Sequence, residues 1–122
     1  MRIVLQGEVP AKKNSRIALK NGRNIPSARY REWHEAAALQ VMAQCRVAKP
    51  IDRPCEVRVL FVHGDMRRRD GDNGLSSVMD LLVDCGVLAD DCWTIARRLV
   101  VENAYEKGKP KAVVEIEPLK TE

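Results

Sequence analysis

Aspartate dominates the acidic residues in the middle of the chain. Seven aspartates and no glutamate lie between positions 65 and 91, namely Asp65, Asp70, Asp72, Asp80, Asp84, Asp90 and Asp91. Short carboxylates suit Mg²⁺, which binds oxygen ligands octahedrally at about 2.0–2.1 Å and keeps several of its waters. In extended chain, residues i and i+2 project to the same side, so Asp70 and Asp72 can share one ion. This pair therefore predicts a divalent-metal site.

Several of these aspartates also have a simpler interpretation. The sequence Asp72-Asn73-Gly74 directly precedes an apolar segment, so Asp72 or Asn73 can serve as the N-cap of a helix. Asp80 and Asp84 lie one turn apart on the polar face of that predicted helix, where solvation alone explains them. The pair Asp90-Asp91 follows in a loop, and loop acids are usually solvated. The residue types alone leave both interpretations open.

Arginines accompany the acidic segment, because Arg67, Arg68 and Arg69 directly precede Asp70. A phosphodiesterase needs both parts, since guanidinium groups hold backbone phosphates and carboxylates hold the metal that activates water. A second basic segment, free of acids, contains Lys12, Lys13, Arg16, Lys20, Arg23, Arg29 and Arg31. It predicts a surface that binds a polyanion, with a solvated basic loop as the alternative.

The net charge of +4 divides unequally along the 122 residues. Residues 1–64 carry 12 Lys and Arg against 5 Asp and Glu, whereas residues 65–122 carry 9 against 12. A chain of this length with 45% hydrophobic residues forms one domain and is not wholly disordered. No apolar stretch reaches the roughly 20 residues of a membrane span, and no secretory signal follows the initial Met1, so we expect a cytoplasmic protein without a membrane partner.

Four strands are expected to form the framework around these residues. Alternating apolar and polar residues predict strands over 2–8, 55–63, 93–103 and 111–117, with the second of these central. The segment 11–26 is predicted to be a basic flap or hairpin, and its Lys20-Asn21-Gly22 sequence favours a tight turn. The four cysteines contain no C-x-x-C pair, so neither a zinc site nor a disulfide is expected.

Two helices are expected between the strands. The first runs from Ser27, as N-cap, to about Arg46, and the spacing of Tyr30 and Trp33 favours the core over base stacking. The second follows the apolar stripe Leu75, Val78, Met79, Leu82 and Val83, and Gly86 can end it in a left-handed conformation. This order of elements predicts an α+β (mixed α/β) fold, a single small domain with a mixed β-sheet and two main helices.

The acidic segment resembles that of a known enzyme family. The sequence Asp65-Met66-Arg67-Arg68-Arg69-Asp70-Gly71-Asp72-Asn73, an apolar helix and then Gly86-Val87-Leu88-Ala89-Asp90-Asp91 are similar to the RusA family of Holliday-junction resolvases. These are small endodeoxyribonucleases of bacteria and their prophages. The N-terminal strand, the basic loop leading through Pro26-Ser27 into a helix and a closing hairpin extend the resemblance over most of the chain, as one domain of residues 1–122.

The resemblance implies a homodimer that binds four-way DNA junctions and makes paired symmetrical nicks with Mg²⁺, for which Mn²⁺ can substitute. It matches Asp70, Asp72 and Asp91 to the acidic residues that carry metal and catalysis, and Asp90 to an adjacent, less critical acid. From the basic flap and the motif together, the expected DNA-binding residues are Lys12, Lys13, Arg16, Arg23, Arg67, Arg68, Arg69 and Asn73.

The chain departs from the family at Ser76, where a lysine linked to catalysis is common. A serine brings no positive charge to the scissile phosphate or to the leaving group. Lys12, Lys13 or Arg69 are the substitutes that the sequence offers. Three hypotheses therefore stay open: a junction resolvase, a metal-dependent nuclease for other branched DNA, and a non-catalytic or weakly active DNA-binding relative. Salt-dependent DNA binding fits all three.

Overall fold

The helices and strands follow the order that the apolar spacing predicts. The structure, a computed structural model, describes residues 1–11, 16–18, 22 and 24–120, with the backbone alone at 16–18 and 24–26. Its elements are β1 (Arg2–Gln6), β2 (Arg16–Ala18), β3 (Asn24–Pro26), α1 (Ala28–Gln44), β4 (Cys55–His63), α2 (Leu75–Asp84), β5 (Ala96–Tyr105) and β6 (Lys111–Pro118). A mixed sheet with two helices confirms the predicted α+β class.

The main sheet has the strand order β1-β6-β4-β5, so β4 is central as predicted. β4 runs parallel to β5 and antiparallel to β6, and β1 pairs antiparallel with β6. The expected closing hairpin is therefore wrong, because β5 and β6 do not pair with each other. The crossover through α2 brings β5 to one edge of β4, and β6 then pairs with the opposite edge. In the predicted flap segment, β2 pairs antiparallel with β3.

Four predicted strand boundaries move, and two of them simply extend β5 to Tyr105 and β6 to Pro118. The first strand ends at Gln6 because Gly7 adopts a positive φ of 92°, which leaves the extended conformation. The strand predicted from position 93 begins instead at Ala96, since Ile95 and Ala96 both donate backbone hydrogen bonds to the Cys92 carbonyl and close a turn.

One face of the main sheet carries the core. The alternating residues Val57, Val59 and Phe61 of β4 are buried there. The neighbouring strands β6 and β1 extend this buried face, and the helices cover it. The buried residues that they contribute are Ile3, Leu5, Tyr30, Ala37, Val41, Val78, Leu81, Leu82, Ala112, Val114 and Ile116. Burial of Tyr30 confirms the prediction that this aromatic belongs to the core, and the half-buried Trp33 packs against the same cluster.

The first helix is capped as predicted and closes one edge of the sheet. The Ser27 hydroxyl accepts a hydrogen bond from the Tyr30 amide at 3.2 Å. Gln44 exchanges two hydrogen bonds with the backbone of Val4, at 2.8 and 2.7 Å, and Gln40 accepts one from the Gln6 amide at 2.7 Å. These side chains satisfy the outer backbone groups of β1, which would otherwise form an open sheet edge.

The second helix is fixed at its end and near its start. Gly86 has a φ of 74°, and the Val87 amide donates to the Leu82 carbonyl at 2.9 Å, as in a Schellman motif. Near the start, the buried Ser77 hydroxyl donates to the Pro10 carbonyl at 2.6 Å and ties the segment after β1 to α2. In the described part of the chain, no helix is long and apolar enough to cross a bilayer.

Candidate active site

The three aspartates predicted to bind metal, Asp70, Asp72 and Asp91, line one open cavity of about 360 Å³. Asp70 and Asp72 come from the loop between β4 and α2, and Asp91 comes from the loop between α2 and β5. All three side chains are exposed, so solvent reaches their carboxylates. The rest of the lining consists of Ala11, Asn73, Gly74, Leu75, Ser76, Met79 and Leu99. The fold thus brings together the carboxylates that the sequence singles out.

The loop that precedes α2 leaves its carboxylates available to the cavity. Gly74, not Asp72 or Asn73, is the N-cap of α2, and no side chain makes a capping hydrogen bond there. The N-cap alternative for Asp72 and Asn73 is therefore wrong. Gly74 has a φ of 87°, and a Cβ atom built on it would lie 2.9 Å from Cγ1 of Val9. Only glycine fits at this position without displacing a neighbour.

Asp91 lies in an acidic environment. Partial desolvation raises the pKa of Asp91, and the neighbouring carboxylates of Asp90 and Asp80 raise it further. Asp80 is half-buried and acts on Asp91, so its interpretation as a merely solvated residue is incomplete. A cation among these groups would relieve their repulsion.

The chemistry of these oxygen donors fits a hard divalent cation such as Mg²⁺. Asp70, Asp72 and Asp91 are the residues that would hold it. Among the residues that the structure describes, no three Asp, Glu, His or Cys side chains converge closely enough to enclose an ion. An ion that retains part of its water shell matches such an open set of carboxylates, and Mg²⁺ is an ion of this kind.

A basic groove of about 230 Å³ adjoins the acidic cavity and shares Ala11 and Asn73 with it. Arg67 and Arg68 line the groove and are exposed, as predicted for residues that contact a phosphate backbone. Arg29, at the start of α1, lines it as well. The sequence prediction did not select Arg29 as a site residue, although its place in the acid-free basic segment was a usable signal.

Arg69 differs from its two neighbours because its side chain is only 14% exposed. Its Nη2 lies 2.8 Å from Oε1 of Glu8 and 2.8 Å from Oδ1 of Asp65. The Arg67 amide, the Arg67 side chain and the Arg69 side chain together hold the pKa of Asp65 well below its ordinary value. Arg69 thus contributes to the internal structure of the loop, and its contact with DNA stays a prediction.

The other predicted residues divide between the site and the undescribed part of the chain. Asn73 and the exposed Ser76 both line the acidic cavity. Lys12, Lys13 and Arg23 lie outside the described residues, and Arg16 is described by its backbone alone. None of the described residues that line the cavity is basic.

Comparison with known proteins agrees with this arrangement. The sequence profile of the family described as "Endodeoxyribonuclease RusA" matches residues 6–117, which include both carboxylate loops. A protein from Aquifex aeolicus (strain VF5), named "Crossover junction endodeoxyribonuclease RusA", is 26% identical over 115 residues, which cover 93% of this chain and 89% of that protein. The chain therefore belongs to the RusA family, whose members are endodeoxyribonucleases that hydrolyse phosphodiester bonds.

Proposed function

We propose that this chain is a divalent-metal-dependent endodeoxyribonuclease that resolves four-way DNA junctions by paired symmetrical nicks. The observation that carries the proposal is the common cavity of Asp70, Asp72 and Asp91, directly beside a groove lined by arginines. The name of the Aquifex aeolicus relative supports the choice of a crossover junction as substrate. The proposed setting is DNA recombination and repair in the cytoplasm.

The three aspartates would hold Mg²⁺, with Mn²⁺ as an alternative ion. When bound, such an ion supplies an activated water and offsets charge on the in-line transition state. The exposed guanidinium groups of Arg67 and Arg68 hold the phosphates that flank the scissile bond.

Selectivity for a junction would come from its shape and its phosphate backbone. A nuclease of this kind accepts many sequences, so contacts to base edges contribute little. Two copies related by a two-fold axis would place two equivalent cavities on the two opposed strands. We therefore propose a homodimer as the active species.

A second candidate function rests on the composition of the acidic cavity. Ser76 stands among the lining residues, and the described lining contains no basic side chain. An enzyme without a cationic group there loses electrostatic stabilisation of the transition state. The alternatives are a weakly active or non-catalytic DNA-binding relative, and a nuclease for other branched DNA.

The test is strand cleavage of a four-way junction with immobile arms, beside its matching linear duplex. Wild type, Asp70→Asn and the control Asp52→Asn, an exposed aspartate in the connection before β4, are each assayed in Mg²⁺ and in EDTA. The proposal expects paired nicks in the junction only, made by wild type and by the control, and abolished by EDTA and by Asp70→Asn. Tight junction binding without cleavage would favour the non-catalytic relative, and cleavage of flaps in preference to junctions would favour the other nuclease.

A further inference from the structure

The peptide between the two loop aspartates is held by a side chain from another strand. The carbonyl oxygen of Gly71, which lies between Asp70 and Asp72, accepts a hydrogen bond from Nδ2 of Asn103 at 2.8 Å. Asn103 belongs to β5, opposite Phe61 of the buried strand β4. Asn103 therefore attaches the loop to the main sheet at Gly71, the residue between the two aspartates.

The orientation of the Asn103 amide follows from this contact. A carbonyl can only accept, so the NH₂ group of Asn103 must face Gly71, and its Oδ1 then faces Nε2 of His63 at 2.8 Å. The other ring nitrogen of His63, Nδ1, lies 2.9 Å from Oε2 of Glu8. Both ring nitrogens of His63 thus face oxygen atoms, one from Asn103 and one from Glu8.

Glu8 connects this chain of contacts to the other side of Asp70. Its Oε1 lies 2.8 Å from Nη2 of Arg69, the residue directly before Asp70. The loop is thus held on both sides of Asp70, by Arg69 through Glu8 and by Gly71 through Asn103. His63 and Arg69 have side chains only 13% and 14% exposed, and Glu8 only 21%, so water competes weakly for the contacts among these three residues. Asn103 and Gly71, by contrast, are exposed.

We infer that Glu8, His63 and Asn103 are positioning residues that aim the carboxylates of Asp70 and Asp72 and thereby set the affinity of the site for its divalent ion. The inference rests on the proposed function, because it assumes that these carboxylates bind metal. A metal site whose ligands lie on a loop needs partners that fix the loop before the ion arrives. Hydrogen bonds behind the ligands serve that purpose, and their loss weakens metal affinity.

The test compares Asn103→Leu with wild type in a titration with MnCl₂ alone, followed by calorimetry and without DNA. Loss of the Gly71 contact is expected to raise the Kd for Mn²⁺ by about 10- to 100-fold. The Mg²⁺ concentration for half-maximal cleavage rises in parallel, whereas junction binding in EDTA is unchanged. Glu102→Leu is the matched control, because Glu102 precedes Asn103 on β5 but pairs with Arg58 at 3.1 Å and not with the loop. Its Kd should equal that of wild type.

His63→Phe is the second variant, and it keeps an aromatic ring in place of the imidazole that stacks on Phe61. Because His63 contacts Asn103 as well as Glu8, the double variant His63→Phe/Asn103→Leu should weaken Mn²⁺ binding by less than the product of the two single-variant factors. Full additivity of the two losses in binding free energy would overturn the shared route through Asn103.

The two proposals fail in different ways. If wild type binds Mn²⁺ and cleaves junctions, and Asn103→Leu has the same Kd as wild type, the positioning inference is overturned and the proposed function stands. If wild type neither binds Mn²⁺ nor cleaves, the proposed function fails and the inference fails with it.

Discussion

Ser76 lines a cavity whose other described polar side chains are three aspartates and one asparagine. The site is therefore rich in groups that hold a cation and poor in groups that stabilise a developing anion. A cationic side chain at this position would lie within the same lining as the carboxylates. The serine at position 76 does not supply that positive charge.

Introducing the missing charge should increase the rate. We expect Ser76→Lys to speed junction cleavage by about 100-fold, the low end of what one well-placed donor contributes to a transition state. Junction affinity in EDTA should stay close to that of wild type. Single-turnover cleavage measures the effect, and Ser76→Met, similar in length and uncharged, is the control. An unchanged or slower rate in Ser76→Lys would show that another basic residue already fills the role.

Asp65 should make the free energy of unfolding depend on pH in the acidic range. Its pKa in the folded protein is lowered from the ordinary value of 3.8, so its contribution to folding is fully present above that value and is lost as the pH falls below it. Asp65→Asn should therefore be less stable than wild type at pH 7, and the two should converge in stronger acid. Urea unfolding across this range measures both, with Asp52→Asn as the control. A constant difference between the two proteins at all pH values would contradict the assignment.

The start of α2 depends on Gly74, the N-cap of the helix. Gly74→Ala would force a side chain into a positive φ and against Val9, at a cost of about 1–3 kcal/mol in the free energy of unfolding. Gly108→Ala is the matched control, because Gly108 also has a positive φ, 70°, but its Cβ atom would meet nothing within 4 Å. Urea unfolding should show the larger loss for Gly74→Ala. Equal losses would mean that the contact with Val9 contributes nothing.

Local sequence patterns predicted the elements well where the determining contacts are local. The Ser27 cap, the Gly86 stop and the alternation in β4 each depend on residues close in sequence, and all three are confirmed. The closing hairpin failed because β5 and β6 are neighbours in sequence but have β4 between them in space. Alternation of apolar residues shows that a strand exists and does not show which strand it pairs with.

The candidate site was predictable to a similar extent. The spacing of Asp70 and Asp72 marked them as a candidate metal-binding pair, whereas Asp91 was selected only through the family resemblance. Asn103 was missed because its partner Gly71 is distant in sequence and offers only a backbone carbonyl. The inward contacts of Arg69 were missed for a related reason, since one of its two acidic partners, Glu8, precedes the whole flap segment, and only the other, Asp65, is close in sequence.

Exposed arginines of the basic groove should affect DNA binding without affecting the stability of the fold. Arg68→Gln removes an exposed guanidinium group, so junction affinity should fall and its logarithmic salt dependence should decrease by about one. Thermal stability should be unchanged, because Arg68 is exposed. Binding titrations over a range of NaCl concentrations, together with the Tm, measure this outcome.

Arg69→Gln, one position further along, should show the opposite behaviour. Its loss leaves the carboxylates of Glu8 and Asp65 without their shared cation, which costs about 1–3 kcal/mol of stability. The pair of variants forms an internal control, since both remove one positive charge. If Arg69→Gln kept its Tm and lost salt-dependent affinity as Arg68→Gln does, Arg69 would contact DNA directly and the inward contacts would be secondary.

The pairing of β1 with β6 has a consequence for the synthesis of the protein. Arg2 lies opposite Glu115, so the first and last strands of the domain pair with each other in the sheet. A ribosome that has released residues up to the end of β5 has delivered every carboxylate of the cavity, but β6, the strand that joins β1 to β4, is still to come. The nascent chain therefore cannot complete its main sheet until β6 emerges, so the residues of the cavity are synthesised before the sheet that positions them is complete.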